Sequence, residues 1–254
     1  MEKLRSEKGC PWDIKQTMES LTSYTLEETY ELIDAILEGE PEHITEELGD
    51  LLFQVVFYAQ ISKEENGQDF NQIADLMAQK LIERHPHVFS NKTWNTDQER
   101  LVEWERIKRA QRKNRKNTDL PDSILDEIPK NLPPLLKGKK LQKRAASVKF
   151  DWPDYHFVLD KIDEELIELK EAIEEGSQNF MEEEFGDLLF ALVNLGRHLK
   201  IDPEIALEKC NRKFISRFQF IEKKLAQQSI LIENSNLDEM ESLWQLAKLQ
   251  EKSG

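Results

Sequence analysis

Two sets of acidic side chains in this chain have the residue types and spacing of a metal site. Each set contains two pairs of carboxylates, and the members of a pair are three residues apart. Residues three apart lie on one face of a helix, so each pair would present its carboxylates side by side. The second set repeats the first at a constant offset of 137 residues (165 − 28 and 184 − 47), which marks an internal repeat. The first set is Glu28, Glu31, Glu47 and Asp50, and the second is Glu165, Glu168, Glu184 and Asp187.

A glycine lies midway between the two pairs of each set. Gly39 is eight residues from both Glu31 and Glu47, and Gly176 has the same place in the second set. In an antiparallel helical hairpin that turns at this glycine, the four carboxylates come to one level. Like charges about 4 to 6 Å apart oppose each other's ionisation, and a divalent cation would remove that conflict. An all-oxygen ligand set suits Mg²⁺, or alternatively Mn²⁺, better than zinc.

A solvated helix surface is the competing explanation for these glutamates. Charged residues make up 33% of the chain, and Glu at a spacing of three is common on such surfaces. Two mirrored pairs that are duplicated at a constant offset and flanked by apolar residues are harder to assign to solvent. We therefore favour the interpretation as a metal site.

Composition narrows the classes of function. The chain has 254 residues and a formal net charge of −15, so general binding to DNA or RNA phosphates is not expected. Its two cysteines, Cys10 and Cys210, are too few for a disulfide framework or a zinc site, and they predict reduced thiols in a cytoplasmic protein. The N-terminal residues lack the apolar core of a signal peptide, and no apolar run has the length of a membrane span.

Hydrophobic periodicity predicts an all-α protein with two tandem helical bundles. No segment alternates with a period of two for long enough to be a strand. Prolines and asparagines that interrupt the helical periodicity divide the chain into three parts. These are an N-terminal domain (1–116), a linker (117–150) with a short helix near 123–128, and a C-terminal domain (151–254). Thr25 is the predicted N-cap of the first long helix. The predicted helices span about 25–37, 44–62 and 70–84, a fourth begins at 97, and the rest span 154–174, 178–198, 203–226 and 237–250.

Basic side chains recur after the carboxylates of each set. Lys80 and Arg84 are matched by a second such pair, Lys213 and Arg217, at an offset of 133 residues (213 − 80). Lys and Arg four apart share a helix face and could bind phosphate oxygens, although ion pairs with neighbouring acids would explain either residue alone. Beside a cation site, phosphate binding is the better interpretation. Trp244 is interpreted as either a core residue or a platform on which a base stacks.

The sequence resembles the MazG family of the all-α nucleoside triphosphate pyrophosphohydrolase superfamily over nearly its whole length. The motifs that carry this resemblance are Cys10-Pro11-Trp12-Asp13, Arg84-His85-Pro86-His87 and the two duplicated carboxylate sets. The resemblance implies Mg²⁺-dependent hydrolysis of nucleoside triphosphates between the α and β phosphates. It also implies a homodimer whose partners complete the helical bundles, and a C-terminal domain that carries most of the activity.

The resemblance also implies a role for individual residues. The metal ligands would be Glu165, Glu168, Glu184 and Asp187, the phosphates would contact Lys161, Lys213 and Arg217, and Trp244 would lie near the base. The first set has Tyr24 where the second has Lys161, which predicts weaker phosphate binding there. Some relatives carry a basic residue just before the third carboxylate, where this chain has Phe180-Met181.

Three alternatives stay open at this point. The general base is not assigned, because Glu164, Glu183 and a water on the cation are equally suitable. A hydrolase specific for dUTP or for a phosphoribosyl nucleotide would have the same carboxylates. A protein of a different class, a non-catalytic metal-binding helical module for interaction or regulation, would also explain the duplicated acidic sets.

Overall fold

The structure is a computed structural model that describes most of the chain. The described residues are 1–90, 92–94, 96, 99–100, 103–104, 106–107, 110–111, 123–126 and 128–251. Within these ranges the protein contains helices and turns without a β-strand, so the all-α prediction is confirmed. The chain divides into two compact units, Met1–Lys116 and Asn117–Gly254. None of the described helices combines the length and the apolar character that crossing a membrane requires.

The first unit is organised around a helical hairpin. Its helices are α1 (Pro11–Lys15), α2 (Thr22–Glu38), α3 (Pro41–Asn66), α4 (Phe70–Arg84) and α5 (Pro86–Phe89). α2 and α3 form the hairpin, α4 packs against α3, and α5 follows α4 directly. The predicted fourth helix lies partly outside the described residues, at 97, 101 and 108 among others, and the described positions Trp104 and Ile107 are helical.

The second unit repeats the hairpin. Its helices are α6 (Pro134–Ala146), α7 (Tyr155–Glu175), α8 (Gln178–His198), α9 (Pro203–Gln227) and α10 (Leu237–Glu251), with a short 3₁₀ turn at Ile232–Asn234. α7 and α8 form the hairpin, while α9 packs mainly against α10 and α6. α6 lies within the range 117–150 that the sequence assigns to a linker, and it packs against α8. Gly138 and Gln142 of α6 are buried, and Gly138 lies against Phe190 and Val193 of α8.

Each hairpin turns at a glycine in the left-handed region. Gly39 has φ +84° and Gly176 has φ +71°, and both immediately follow the first helix of their hairpin. L-residues with a side chain avoid this region, which explains why both copies have glycine here. Just before each turn a buried alanine, Ala35 or Ala172, lies at the matching position of the repeat. Neither position has room for a much larger side chain.

The start of α2 differs from the prediction. α2 begins at Thr22, and the Thr25 hydroxyl donates a 3.0 Å hydrogen bond to the carbonyl oxygen of Leu21 rather than capping the helix. The N-cap prediction was wrong because Leu21 is a core residue. It packs with Phe57 and Ile61, and this burial extends the helix towards the N-terminus.

Both hairpins expose an apolar face among the described residues. The exposed side chains occupy matching positions of the repeat, and each is between 39% and 56% exposed. They are Tyr30, Ile36, Leu48 and Leu52 in the first unit and Ile167, Ile173, Phe185 and Leu189 in the second. Large contiguous apolar patches on a protein surface usually mark an interaction site.

We expect the same substitution to have opposite effects at two glycines of the second unit. Gly176→Ala should destabilise the unit by about 1 to 2 kcal/mol, because alanine is disfavoured in the left-handed region. Gly186→Ala should stabilise it by up to about 1 kcal/mol, because Gly186 is inside α8 and an added Cβ meets no heavy atom within 4 Å. Urea denaturation followed by circular dichroism measures both changes. If Gly176→Ala left the free energy of unfolding unchanged, the turn would not depend on a positive φ at this position.

Candidate metal centres

Three carboxylates converge where the two helices of each hairpin face each other. In the second unit Glu165 on α7 and Glu184 and Asp187 on α8 offer oxygen atoms that all lie within 4.8 Å of one another. We call these three residues the second box. The first box is formed in the same way by Glu28, Glu47 and Asp50. The hairpin geometry that the sequence predicted therefore brings three of each four carboxylates together.

The fourth carboxylate of each set lies close enough to act through its charge. Glu168 raises the pKa of Glu184, and Glu31 raises the pKa of Glu28. Neither Glu168 nor Glu31 belongs to the group of oxygens within 4.8 Å. Each of them is therefore positioned at the edge of its box.

Burial and repulsion shift the pKa of one carboxyl group in each box. Partial burial raises the pKa of Glu184 above its ordinary value, and the charges of Glu168, Glu165 and Asp187 raise it further. Burial likewise raises the pKa of Glu28, an effect that a hydrogen bond from Gln54 partly offsets. Ionised carboxylates at these positions are held together at a cost in free energy, which a cation would remove.

Two box oxygens are buried without a hydrogen-bond partner among the described residues. They are Oε2 of Glu47 and Oε2 of Glu165, and both residues are more than nine-tenths buried. A buried polar atom without a partner costs about 1 to 3 kcal/mol, and more when it is charged. The donors are carboxylate oxygens, which hard divalent cations such as Mg²⁺ bind in proteins. The residues present in both boxes thus fit a divalent cation.

Lys161 makes the second box different from the first. Its ammonium group donates to Oε1 of Glu165 at 2.8 Å and to Oε1 of Glu164 at 2.9 Å. The hydrogen bonds to Glu164 and Glu165 raise the pKa of Lys161, so its positive charge is secure at neutral pH. The second box therefore combines three carboxylates with a cation, a combination that can bind both a metal ion and a phosphate group.

Other side chains contact the first box. The amide of Gln54 donates to Oε1 of Glu28 at 3.3 Å, and Nε2 of His43 lies 3.2 Å from Oε1 of Glu47. The sequence analysis missed both residues. Their counterparts at the offset of 137 residues are Ala191 and Phe180. A position-by-position comparison of the two copies, extended beyond the carboxylates, would have found this difference.

The remaining predicted substrate-binding residues form a separate group on α9 and α10. Arg217 donates to Oε2 of Glu251 at 2.6 Å, and its guanidinium lies 5.3 Å from the ring centre of Trp244. Lys213 acts on the same carboxylate and lowers the pKa of Glu251, after the larger effect of Arg217. Among the helices that the structure describes, α7 packs against α8 alone, so this group is carried by helices that do not pack against α7.

Comparisons with known proteins agree with this duplicated architecture. A family model for the MazG nucleotide pyrophosphohydrolase domain matches the chain twice, over residues 16–89 and 155–220. The chain is 46% identical to the nucleoside triphosphate pyrophosphohydrolase of Escherichia coli K12, covering 99% of this chain and 95% of that protein. It is 44% identical to the nucleoside triphosphate pyrophosphohydrolase/pyrophosphatase MazG of Thermotoga maritima, covering 98% and 92%. The uncharacterized protein YabN of Bacillus subtilis is 42% identical, with 99% and 51% covered.

We expect the repulsion in the second box to give a pH-dependent difference in stability. Because the pKa of Glu184 is raised by folding, the stability linked to this group is complete at low pH and is lost as the pH rises through the raised pKa. With divalent cations removed by EDTA, we compare the free energy of unfolding of Glu184→Gln with that of the unsubstituted protein. This difference should shift in favour of the variant between about pH 4 and pH 7. Excess Mg²⁺ together with a nonhydrolysable ATP analogue should reverse the order at pH 7. Urea titrations at several pH values test this, and a difference that does not change with pH would contradict it.

Proposed function

This chain belongs to the MazG nucleotide pyrophosphohydrolase family, and we propose that its second box hydrolyses nucleoside triphosphates to a monophosphate and pyrophosphate with the help of Mg²⁺. Lys161 is the observation that carries the assignment to the second box. Its ammonium group lies among the carboxylates of this box, whereas the first box has Tyr24 at the matching position. A triphosphate needs both a cation and positively charged side chains, and the second box offers both.

The carboxylates would hold the ion, and the basic residues would hold the substrate. Glu165, Glu184 and Asp187 would bind Mg²⁺, with Glu168 at the edge of the site. When bound, the ion neutralises phosphate charge and makes a water molecule more nucleophilic. Lys161 would donate hydrogen bonds to phosphate oxygens and so stabilise the charge that develops on the leaving pyrophosphate.

We propose that the group on α9 and α10 binds the rest of the substrate. Arg217 donates to both oxygens of Glu251, and it would exchange this carboxylate for phosphate oxygens, which its planar guanidinium can bind in the same two-pronged way. Lys213 would add a second positive charge. Trp244, which already packs against Phe214 and the guanidinium of Arg217, would provide the apolar surface for the base.

The proposed setting is a cytoplasmic homodimer. The free thiols of Cys10 and Cys210 suit a reducing compartment. The exposed apolar faces of the two hairpins occupy matching positions of the repeat, as expected if each hairpin packs against the same hairpin of a second chain. Such packing would complete a four-helix arrangement in both units.

Matched substitutions in the two boxes test which box hydrolyses the substrate. Asp187→Asn should lower kcat/KM for ATP and dNTPs by roughly 100-fold or more, because the variant loses a charged ligand of the ion that stabilises the transition state. Asp50→Asn, the same change at the matching position, should retain most of the activity. Chromatography of the products should show monophosphate and pyrophosphate. Release of nucleoside diphosphate and orthophosphate would contradict the proposed cleavage between the α and β phosphates. A larger loss of activity in Asp50→Asn than in Asp187→Asn would move the active site to the first box.

The dimer is tested by placing charge on both apolar faces. The unsubstituted protein should have twice the chain mass of 29.9 kDa by light scattering. Tyr30→Glu combined with Ile167→Glu should shift that mass towards the single chain, because burying an unpaired carboxylate is costly. Leu231→Glu is the control, since Leu231 is 68% exposed and lies outside both hairpins. A single-chain mass for the unsubstituted protein would contradict the proposal.

A further inference from the structure

We propose that the first box is a divalent-cation site that fills without nucleotide, whereas Lys161 makes cation binding at the second box depend on nucleotide. The part of this inference that concerns the first box stands on its own observations. The part that concerns Lys161 rests on the proposed function. Both parts follow from the side chains that differ between the two copies of one hairpin.

The first box offers oxygen donors of two kinds. Three carboxylates converge within 4.8 Å, and Oε2 of Glu47 is buried without a hydrogen-bond partner among the described residues. Gln54 is 5% exposed and contacts Glu28 through its amide nitrogen, while its amide oxygen Oε1 has no hydrogen-bond partner among the described residues. Rotation of the amide about its last bond would turn that neutral oxygen towards the carboxylates. Hard divalent cations bind carboxylate and amide oxygens together in proteins.

The second box has lost this neutral donor and gained a positive charge. Ala191 occupies the position of Gln54, and Lys161 occupies the position of Tyr24. The Lys161 ammonium lies 2.8 Å from Oε1 of Glu165. A divalent cation at the second box must therefore compete with Lys161 for Glu165. It is also repelled by the positive charge of the Lys161 ammonium group.

No such competitor is present at the first box. Among the residues that the structure describes, no lysine or arginine contacts Glu28, Glu47 or Asp50, and the ring of Tyr24 packs edge-on against Trp12, 5.6 Å away. His43 is the basic side chain that touches this box, and it lies between Glu47 and Glu38 at the exposed rim. A cation can thus reach the first box without displacing an ammonium group.

Nucleotide would remove the conflict at the second box. A phosphate group gives Lys161 a new anionic partner, which frees Glu165 for the cation, and phosphate oxygens can complete the coordination of the ion. Cation and nucleotide would then each strengthen the binding of the other, as linkage requires. The first box lacks the lysine on which this coupling depends, so its occupancy should not respond to nucleotide.

Binding of Mn²⁺ to the full chain, measured by electron paramagnetic resonance without nucleotide, tests the first part. Without nucleotide, we expect one site that binds Mn²⁺ more tightly than the rest of the chain does. Its affinity should fall at least about tenfold in Glu47→Gln, because this variant loses a charged ligand. The matched variant Glu184→Gln should leave that affinity unchanged. Addition of Mg²⁺ should displace the bound Mn²⁺. The opposite ranking of the two variants, or the absence of any nucleotide-free site, would overturn the proposal.

Exchange of the differing side chains tests the cause. Tyr24→Lys should weaken the nucleotide-free site by roughly tenfold or more, since it places a like charge beside the ion, whereas Tyr24→Phe should not. Lys161→Met should create a second site that fills without nucleotide, while its affinity for a nonhydrolysable ATP analogue should decrease. A Lys161→Met variant that binds both ligands more weakly would show a merely structural or phosphate-binding role and overturn the coupling.

The assay of hydrolysis separates this inference from the proposed function. If the protein cleaves nucleoside triphosphates but its nucleotide-free Mn²⁺ site depends on Glu184, the inference fails and the proposed function stands. If no triphosphate is cleaved but the Mn²⁺ site depends on Glu47, the proposed function fails and the first-box site stands. Circular dichroism of each variant confirms that the hairpins remain helical.

Discussion

Repulsion among three carboxylates held within a few ångströms is the constraint on which the rest of this structure depends. The two helices of each hairpin must be packed firmly enough to hold these groups together, because the charges alone would separate them. Leu21 and Val158 are buried near the start of the hairpins, and a glycine in the left-handed region closes each one at the other end. Packing on both sides of the box carboxylates thus holds these charges together, although their mutual repulsion is unfavourable. Such locally unfavourable arrangements are common at functional sites.

The duplicated hairpin relieves this repulsion in two different ways. In the second unit an ammonium group pairs with the buried Glu165, and in the first unit a buried amide donates to Glu28. Lys161 has a positive charge that also suits a phosphate group, whereas Gln54 is neutral and only 5% exposed. The two units therefore have the same hairpin conformation and the same set of carboxylates. They differ in the side chain that is paired with those carboxylates.

Local signals made much of this architecture predictable from the sequence. Helical periodicity, the glycines at the turns and the constant offset predicted both hairpins and the convergence of their carboxylates. The contacts that could not be predicted join residues far apart in the chain. Glu251 pairs with Arg217 across two helices. α6 was included in the linker because prolines precede it and its composition is strongly basic, and its packing on α8 could not be seen from those signals. The start of α2 was misplaced because a capping pattern competed with the burial of Leu21, and burial is the stronger effect.

The paired alanines beneath the turns have a consequence for the choice of ion. Ala35 and Ala172 are both buried, four residues before the glycine at which each hairpin turns, so a side chain larger than a methyl group has little room at either position. Mg²⁺ requires ligands at about 2.0 to 2.1 Å and Ca²⁺ accepts about 2.3 to 2.6 Å, with more of them. A larger side chain at these alanines would spread the helices and favour the larger ion. In the proposed cation sites, the size of these two buried side chains would therefore influence the preferred ion radius at some distance from the ligands.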